Sequence, residues 1–494
     1  MIWKRWSRSE RPSDDDVQAA EIEMVEPQAA ETPPAPVNAV PEAGPAVVRP
    51  AAPAAAAPTG AAGAEPGVAR PAFLDSLWRD PDEAAPVRQA LPRFSASASD
   101  DVEPGDADSA LARRKLALRD ALGASQPVID RTSFAGRHDA LAQLIASIEQ
   151  QRVHVVIYGE RGIGKTSLAH VFAETAREAR YLVLYGSCGT EAEFASMFRA
   201  FASRIPRLYH SSVLPNSAEA ERGDNLDVML PDQFGPRELA DLFSEITGTR
   251  VLIILDEYDR VLDKSFRRDV AELIKNLSDR AARVQLVLTG VAQNLDELIG
   301  YAPSIRRNIV GLPMRPLTKA EVRDVIGIGE AAADLRYSPE SVAMVTAMAG
   351  GSPYLVRLLA HQAGLAALNE RRSIVDENHG RAAVERVLTD WNASLPRRVQ
   401  ASLGRDEARA QWPLLIAAAR AGSTADGFFG VDDVITELAG NQLPAMVERD
   451  LRRFSHPHDL LEVHDTDGEV RFRFRYPGVS SLLLMSAAMA RLSA

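Results

Sequence analysis

The residues with the clearest chemical signature lie in a glycine-rich segment between positions 159 and 167. The segment reads GERGIGKTS and matches the pattern GxxxxGK[ST] in full. Glycines allow positive φ angles, so that successive backbone N–H groups can turn inward around a phosphate group. The lysine of this pattern reaches the β- and γ-phosphates, and the hydroxyl that follows it binds Mg²⁺. The spacing predicts a nucleoside triphosphate site with contacts from Gly159, Glu160, Arg161, Gly162, Ile163, Gly164, Lys165, Thr166 and Ser167.

Two acidic residues follow an apolar run at 251–255, which reads VLIIL. A buried strand that ends in two acids is typical of the second half of such a site. Asp256 is expected to hold Mg²⁺ together with Thr166, and Glu257 is expected to polarise the water that attacks the γ-phosphate. The alternative is that these acids only cap the next helix, since acids often follow strands.

Two further positions are candidates for catalysis alongside Glu257 and Lys165. Thr289 ends the apolar run at 284–289 and could sense the γ-phosphate, although an ordinary polar strand end has the same pattern. Arg306 and Arg307 follow that run, and one of them, Arg307 in our assignment, could act as an arginine finger on a neighbouring protomer. The alternative for this pair is a solvated or salt-bridged surface position.

The elements that must position these residues alternate between strands and helices. Apolar runs at 153–158, 181–185, 251–255 and 284–289 predict buried strands, and amphipathic segments at 166–177, 191–205, 236–247 and 266–280 predict helices. This alternation predicts an α/β domain over 126–316, with a parallel sheet that is covered on both faces. The polar stretch 206–234 is expected to be a surface insertion.

The remainder of the chain predicts a helical lid, a small C-terminal domain and a tail. Over 317–398 only helices are expected, opened by a capping box at Thr318–Glu321 and by Ser338-Pro339. Over 399–494, three helices precede a hairpin around Asp467-Gly468, the pattern of a winged helix. Residues 1–125 are acidic and rich in Ala and Pro, which predicts disorder with one short helix near 109–122.

Composition excludes several classes of protein. A single cysteine among 494 residues, Cys188, excludes an intrachain disulfide and fits a reducing, cytoplasmic setting. No apolar run reaches the length of a membrane span, and His456, His458 and His464 have no standard metal spacing. Within the tail, the aromatic islands at 1–8 and 71–79 are either partner-binding motifs, the first of them suited to an anionic membrane surface, or accidental clusters.

The motifs together resemble those of AAA+-related ATPases. FAGR at 134–137, GERGIGKT, LIILDE, VLTG and the GSP at 351–353 are most similar to the branch that holds archaeal origin-recognition-like and STAND signalling ATPases. The resemblance implies ATP with Mg²⁺, a P-loop sheet, a helical lid and often a winged helix. It also implies that Arg357, one turn beyond Pro353, contacts the nucleotide as a sensor residue.

Three functions fit this interpretation. The first is an ATPase that acts as a nucleotide-dependent switch, with protein partners bound through the tail or the winged helix, or with assembly into a homo-oligomer. The second is a DNA-binding initiator or loader. It is not favoured, because 408–494 holds 9 basic and 11 acidic residues and phosphate contact needs positive charge. The third is a nucleotide-dependent scaffold that does not hydrolyse ATP, which the Asp256-Glu257 pair disfavours.

Overall fold

The computed structural model describes residues 70, 73–74, 107–213, 223–300, 305–423, 427–438, 443–456, 458–466 and 469–493. Residues 62–494 form one compact unit. The expected disorder of the tail and its first aromatic island fall outside the described residues. Within the described residues, no helix is long and apolar enough to cross a membrane.

A parallel sheet forms the centre of the nucleotide domain. Its strands run in the order β2-β3-β4-β1-β5, and all pair in parallel, for example Ile157 with Thr289 and Ile253 with Leu286. The four predicted strands are confirmed. A fifth strand, β5, was not predicted and pairs with β1. The strand bounds are β1 His154–Gly159, β2 Leu182–Ser187, β3 Val251–Asp256, β4 Val284–Val291 and β5 Ile309–Pro313.

Helices cover both faces of this sheet, as predicted. On one face, Leu144, Leu168 and Phe172 pack against β1 and β3. On the other face, the apolar core includes Phe198 and Phe243. Cys188 is buried. The helices of this domain are α2 His138–Ala146, α3 Lys165–Glu178, α4 Phe194–Ala202, α5 Pro236–Ser244, α6 Lys264–Asp279 and α7 Leu295–Ile299.

The stretch expected to be a surface insertion is in part a component of the core. Leu226 and Leu230 are buried in the same apolar cluster as Phe198, and a short 3₁₀ helix spans Leu226–Met229. The polar residues around them hid these two apolar positions, so the expectation for 206–234 was wrong for 226–230. Residues 214–222 are not among those described.

The lid is helical, with one small exception. The predicted capping box at Thr318 and the Pro339 helix start are confirmed, but β6 and β7 form a two-residue parallel pair that was not expected. The helix near 109–122, which the sequence places in the tail, spans Ala107–Leu122 (α1) and packs its Leu118 and Leu122 into the lid core. The lid elements are α8 Lys319–Ala333, β6 Arg336–Tyr337, α9 Pro339–Ala349, α10 Pro353–Asn369, β7 Ile374–Val375 and α11 Glu377–Ser394.

The C-terminal segment combines helices with a three-stranded antiparallel sheet in the order β8-β10-β9. The predicted hairpin pairs Glu469 with Thr466 and Phe474 with Leu461; β8 and the last helix were not predicted. The arrangement is consistent with a winged helix. Its elements are α12 Arg397–Gly404, α13 Asp406–Ala410, α14 Trp412–Ala421, β8 Phe428–Phe429, α15 Val431–Leu438, α16 Pro444–Ser455, β9 Leu461–Thr466, β10 Glu469–Phe474 and α17 Pro477–Ser493.

Candidate functional site

The glycine-rich loop connects β1 to α3 at the carboxyl edge of the sheet. Gly159, Gly162 and Gly164 have φ angles of 148°, 77° and 93°, which residues with a Cβ rarely adopt. At Gly159 a Cβ would also lie 3.0 Å from the carbonyl oxygen of Met314. Because α3 begins at Lys165, the loop leads into the positive end of a helix dipole. The backbone therefore forms a cradle that fits phosphate groups.

The ammonium group of Lys165 lies against this loop. Its Nζ donates to the carbonyl oxygens of Gly159, at 2.9 Å, and Glu160, at 2.8 Å. Burial lowers the pKa of Lys165 to about 8, although the nearby carboxylates of Asp259 and Asp256 act in the opposite direction. An anionic group in the cradle would favour the charged form of the lysine.

The other loop residues divide between core, surface and pocket. The Ile163 side chain is buried in the core, and Glu160 and Arg161 are exposed. The Ser167 Oγ accepts a hydrogen bond of 3.1 Å from the backbone N–H of Val128. Ser167 thus connects α3 to the segment 124–128. This segment and the glycine-rich loop line one cavity, which is described below.

The carboxylate of Asp256, at the end of β3, accepts several hydrogen bonds from residues of α3, of β4 and of the turn that follows β3. Its Oδ1 accepts from the Thr166 Oγ1 at 3.3 Å, from the Glu257 N–H at 2.9 Å, and from the Thr289 hydroxyl. Because β3 and β4 are neighbours, the ends of these strands bring Asp256 and Thr289 together. A carboxylate beside a hydroxyl is a hard oxygen donor set that fits Mg²⁺.

Tyr185 is a member of this group that the sequence did not reveal. Its hydroxyl donates to the Oδ2 of Asp256 at 2.6 Å, and its ring stacks on His170 with the ring centroids 4.3 Å apart. Burial, followed by the Asp256 charge, raises the pKa of Tyr185, so the hydroxyl keeps its proton. The signal that could have found it is its place in the carboxyl-terminal half of β2, two residues before the position that pairs with Asp256, once β2 is known to pair with β3.

Glu257 follows Asp256 in a left-handed backbone conformation, with φ of 54°. Its Oε2 accepts hydrogen bonds from the Ser187 Oγ at 3.1 Å and from the Arg260 Nη1 at 2.7 Å. The Glu257 side chain is about half exposed and lines the cavity beside Thr289. The carboxylate is therefore held at the mouth of the cavity by two groups that the sequence did not single out.

The cavity lies between the sheet and the lid. Its floor is formed by the loop and the strand ends, and its walls by the segment 124–128 and by the lid residues Pro353 and Tyr354. The FAGR motif also faces it, since Phe134 and Arg137 line the cavity. The buried Arg137 side chain donates to the Ile163 carbonyl at 3.1 Å. A ligand in this cavity would contact both the sheet and the lid.

A family model described as "Novel STAND NTPase 1" matches residues 127–385, which is more than half of the chain. The chain belongs to the novel STAND NTPase 1 family. The matched residues include the loop, the strand ends and most of the lid.

Solved structures that resemble this STAND NTPase are distant. RuvB of Thermotoga maritima is 15% identical over 70% of this chain and 95% of its own, with a TM-score of 0.39. The Aeropyrum pernix ORC1 protein, solved in complex with DNA, is 17% identical over 77% and 98%, with a TM-score of 0.38. A Walker-type ATPase of Pyrococcus abyssi is 16% identical over 74% and 99%, with a TM-score of 0.41. No curated protein matches the chain.

Arg357 lines the cavity of this STAND NTPase, but its guanidinium is engaged elsewhere. Nη1 donates to the carbonyl of Ala121 at 2.9 Å, and Nη2 donates to the carbonyl of Ser133. Ala121 belongs to the last turn of α1, and Ser133 ends a 3₁₀ helix. Arg357 thus ties the lid to the segment that walls the cavity, a role that its sequence position did not predict.

Arg306 and Arg307 are placed away from this cavity. They begin a 3₁₀ helix before β5, at the amino edge of the parallel sheet, whereas the cavity lies at the carboxyl edge. Arg306 pairs with Asp296. Arg307 lies 3.8 Å from Asp279, with 75% of its side chain exposed. The structure therefore brings Lys165, Thr166, Asp256, Glu257 and Thr289 together, but not Arg307.

Proposed function

We propose that this STAND NTPase binds ATP with Mg²⁺ and hydrolyses it, and that its nucleotide state controls assembly with partners or with further copies. The observation that carries the proposal is that Lys165, Thr166, Asp256, Thr289 and Glu257 meet around one cavity. Each of these side chains has the chemistry that one part of the reaction requires.

The roles follow from the chemistry of each group. The loop N–H groups and Lys165 would bind the β- and γ-phosphates. Thr166 and Asp256 would hold Mg²⁺, which neutralises charge on the phosphate oxygens when it is bound. Glu257 would accept a proton from the attacking water. Thr289, through its hydrogen bond to Asp256, would orient that carboxylate next to the γ-phosphate.

The proposed switch is supported by the position of the cavity, which lies between the sheet and the lid. Pro353 and Tyr354 of the lid face the loop, and the Tyr354 Cβ would lie 3.8 Å from a Cβ at Gly162. A ligand that touches both sides stabilises the arrangement in which both contacts are made. ATP and ADP differ by one phosphate group at the loop, so they would stabilise the lid to different extents.

DNA binding is the alternative that we do not favour. Several arginines of the hairpin and of α16 lie beside acids: Arg473 is 2.7 Å from Glu462, Arg475 is 2.8 Å from Asp459, and Arg452 is 2.8 Å from Glu448. Acids at these distances cancel much of the positive charge that phosphate contact requires. Protein partners, met through the tail or this C-terminal domain, fit a neutralised surface better.

The test is phosphate release from ATP by the full chain, beside Lys165→Ala and Glu257→Gln. Loss of the general base is expected to lower turnover by about 100-fold or more, while Glu257→Gln retains ATP. Lys165→Ala is expected to lose ATP binding. Matched controls are Lys275→Ala and Glu272→Gln on the exposed side of α6, which should leave both properties unchanged.

The switch is tested separately by hydrogen exchange of the lid in the Glu257→Gln protein. We expect slower exchange over α8–α11 with ATP than with ADP. Tight ATP binding with no turnover by the wild type would replace the ATPase by a nucleotide-locked scaffold, and absence of nucleotide binding would refute the proposal. A DNA complex that dissociates with rising salt would support the initiator alternative.

A further inference from the structure

Part of the N-terminal tail lies on the C-terminal domain. Arg70, Phe73 and Leu74 are described by the structure. Leu74 is fully buried in the large apolar core that the lid and the C-terminal domain share, and Phe73 packs against this core, to which Leu403 and Trp412 also belong. These residues come from the second aromatic island and its flank, for which the sequence left a binding role open.

Arg70 contacts the helix ends next to this core. Its Nη1 donates to the carbonyl oxygen of Leu403 at 2.9 Å, and its guanidinium carbon lies 5.6 Å from the centroid of the Trp412 ring. Leu403 belongs to the last turn of α12, whose carbonyls have no partner within the helix and carry partial negative charge. A cation is the complementary group for this position.

The Leu403 carbonyl and the Trp412 ring both contact the guanidinium of Arg70. Trp412 is the first residue of α14 and presents its ring to the guanidinium, a favourable cation–π arrangement. Asp406 between the two helices adds attraction for Arg70, while Arg409 opposes it. The site thus combines a helix end and an aromatic ring of the C-terminal domain with the apolar core that this domain shares with the lid.

The spacing of the three tail residues matches one face of a helical turn. Arg70, Phe73 and Leu74 occupy positions i, i+3 and i+4, which lie side by side on a helix. Such a motif presents one cation and two apolar side chains to a single surface. A tethered segment of this kind faces its site at an effective concentration of about a millimolar or more, so a weak contact is enough to keep it bound.

We propose that the end of α12 and the start of α14, with the adjoining apolar core, form a binding site for a short Arg-x-x-Phe-Leu peptide, and that Arg70, Phe73 and Leu74 of the same molecule occupy it. The helix end selects the arginine, and the apolar core selects the two residues that follow. The tail is thereby anchored to the C-terminal domain at a defined point. This site is separate from the nucleotide cavity and does not depend on its function.

The test uses the full chain and a fluorescent peptide of residues 66–80. In Phe73→Ser/Leu74→Asp the tail can no longer fill the site, so fluorescence anisotropy should show one peptide bound per chain, at least tenfold tighter than for the wild type. The matched control, Leu91→Asp/Phe94→Ser, changes the same residue types elsewhere in the tail and should behave as the wild type. A peptide with Arg70→Gln should bind the double variant more weakly than the native peptide.

A second measurement follows the site itself. Hydrogen exchange over α12 and α14 should be faster in the double variant than in the wild type. Added peptide should slow the exchange again to the wild-type rate. Equal peptide uptake by wild type and double variant, or none by either, would overturn the proposal. Sedimentation shows whether the bound tail comes from the same chain or from a second copy. A mass that doubles in wild type and control, but not in the double variant, would assign the occupant to a second copy and overturn the intramolecular site.

Discussion

Two roles of Arg357 can be distinguished by experiment. In the structure its side chain links the lid helix α10 to Ala121 and Ser133, which we call the clasp, whereas the sequence resemblance implies that it contacts the nucleotide as a sensor. Its guanidinium is buried and donates to the carbonyls of Ala121 and Ser133. Arg357→Met keeps an unbranched apolar stem and removes the guanidinium with both hydrogen bonds. If the clasp is correct, the change should loosen the docking of α1 on the lid before any nucleotide is added.

The magnitude follows from the two bonds. A hydrogen bond to a charged group contributes about 1.5–3 kcal/mol, and part of this is offset because a buried guanidinium no longer has to be desolvated. The expected loss is therefore about 3 kcal/mol in the docking of α1, which corresponds to a decrease of roughly 100-fold in hydrogen-exchange protection. The measurement is hydrogen exchange of the peptide covering 107–122 in nucleotide-free protein.

The matched control for Arg357→Met is an arginine in an exposed ion pair of the lid. Arg386→Met removes an exposed ion pair with Asp390 on α11, and its effect should stay below about 1 kcal/mol. If Arg357→Met leaves the protection of α1 unchanged and abolishes only ATP turnover, the clasp is refuted. That result would instead support a direct contact between Arg357 and the nucleotide.

Three further predictions concern His154, Tyr185 and Gly329. Burial lowers the pKa of His154 to about 4, so the stability present above pH 6.5 is lost as the pH falls towards 4; between pH 7 and pH 5, unfolding should show His154→Asn losing about 2 kcal/mol less than wild type. Tyr185→Phe removes a hydrogen bond to Asp256, and should raise the Mg²⁺ concentration for half-maximal ATP turnover several-fold. Gly329→Ala would place a Cβ 2.3 Å from Leu122 Cδ1, and should destabilise α1 docking by about 1–3 kcal/mol in hydrogen exchange.

Two of these changes have a matched control, and the third has a defined contradicting result. Gly327 lies in the same helix, and a Cβ added there would meet nothing within 4 Å, so Gly327→Ala should stabilise by up to about 1 kcal/mol; equal effects at Gly327 and Gly329 would contradict the packing argument. Tyr181→Phe changes a tyrosine just before β2 and should leave the Mg²⁺ dependence unchanged. Parallel pH profiles for wild type and His154→Asn would show that His154 does not titrate as its burial requires.

Of the four strands that the sequence revealed, β1, β3 and β4 lie inside the sheet, and the edge strand β2 still belongs to the apolar run YLVLY at 181–185. β3 and β4 have neighbours on both sides and read as continuous apolar runs, which is typical of a parallel sheet between two helical layers. β5 is an edge strand, and its five residues IVGLP include a glycine and a proline, which lower strand propensity. The pairs β6–β7 and the strand β8 are two residues long, too short for any periodicity.

The site was predictable where its residues belong to one motif or end an apolar run, as Thr289 does, and was less so where a contact depends on which strands are neighbours. The loop and the Asp256-Glu257 pair were singled out because their chemistry lies in adjacent positions. Tyr185 was not, because its contact with Asp256 requires β2 to lie beside β3. Arg260 pairs with Glu257 only because a tight 3₁₀ turn brings the two together. Arg357 was located, but the direction of its side chain was not.

The FAGR motif gives a physical reason to expect that the loop and the lid respond together. The Arg137 side chain donates to the Ile163 carbonyl in the loop, and its backbone N–H donates to Glu321 at 3.2 Å. Glu321 caps α8 of the lid and pairs with Arg315 at 2.7 Å, which lowers the pKa of Glu321. Arg137 is thus hydrogen-bonded both to the glycine-rich loop and to the lid. A change in the loop that shifts the Ile163 carbonyl would act directly on the Arg137 side chain, and the backbone of the same residue contacts the first helix of the lid.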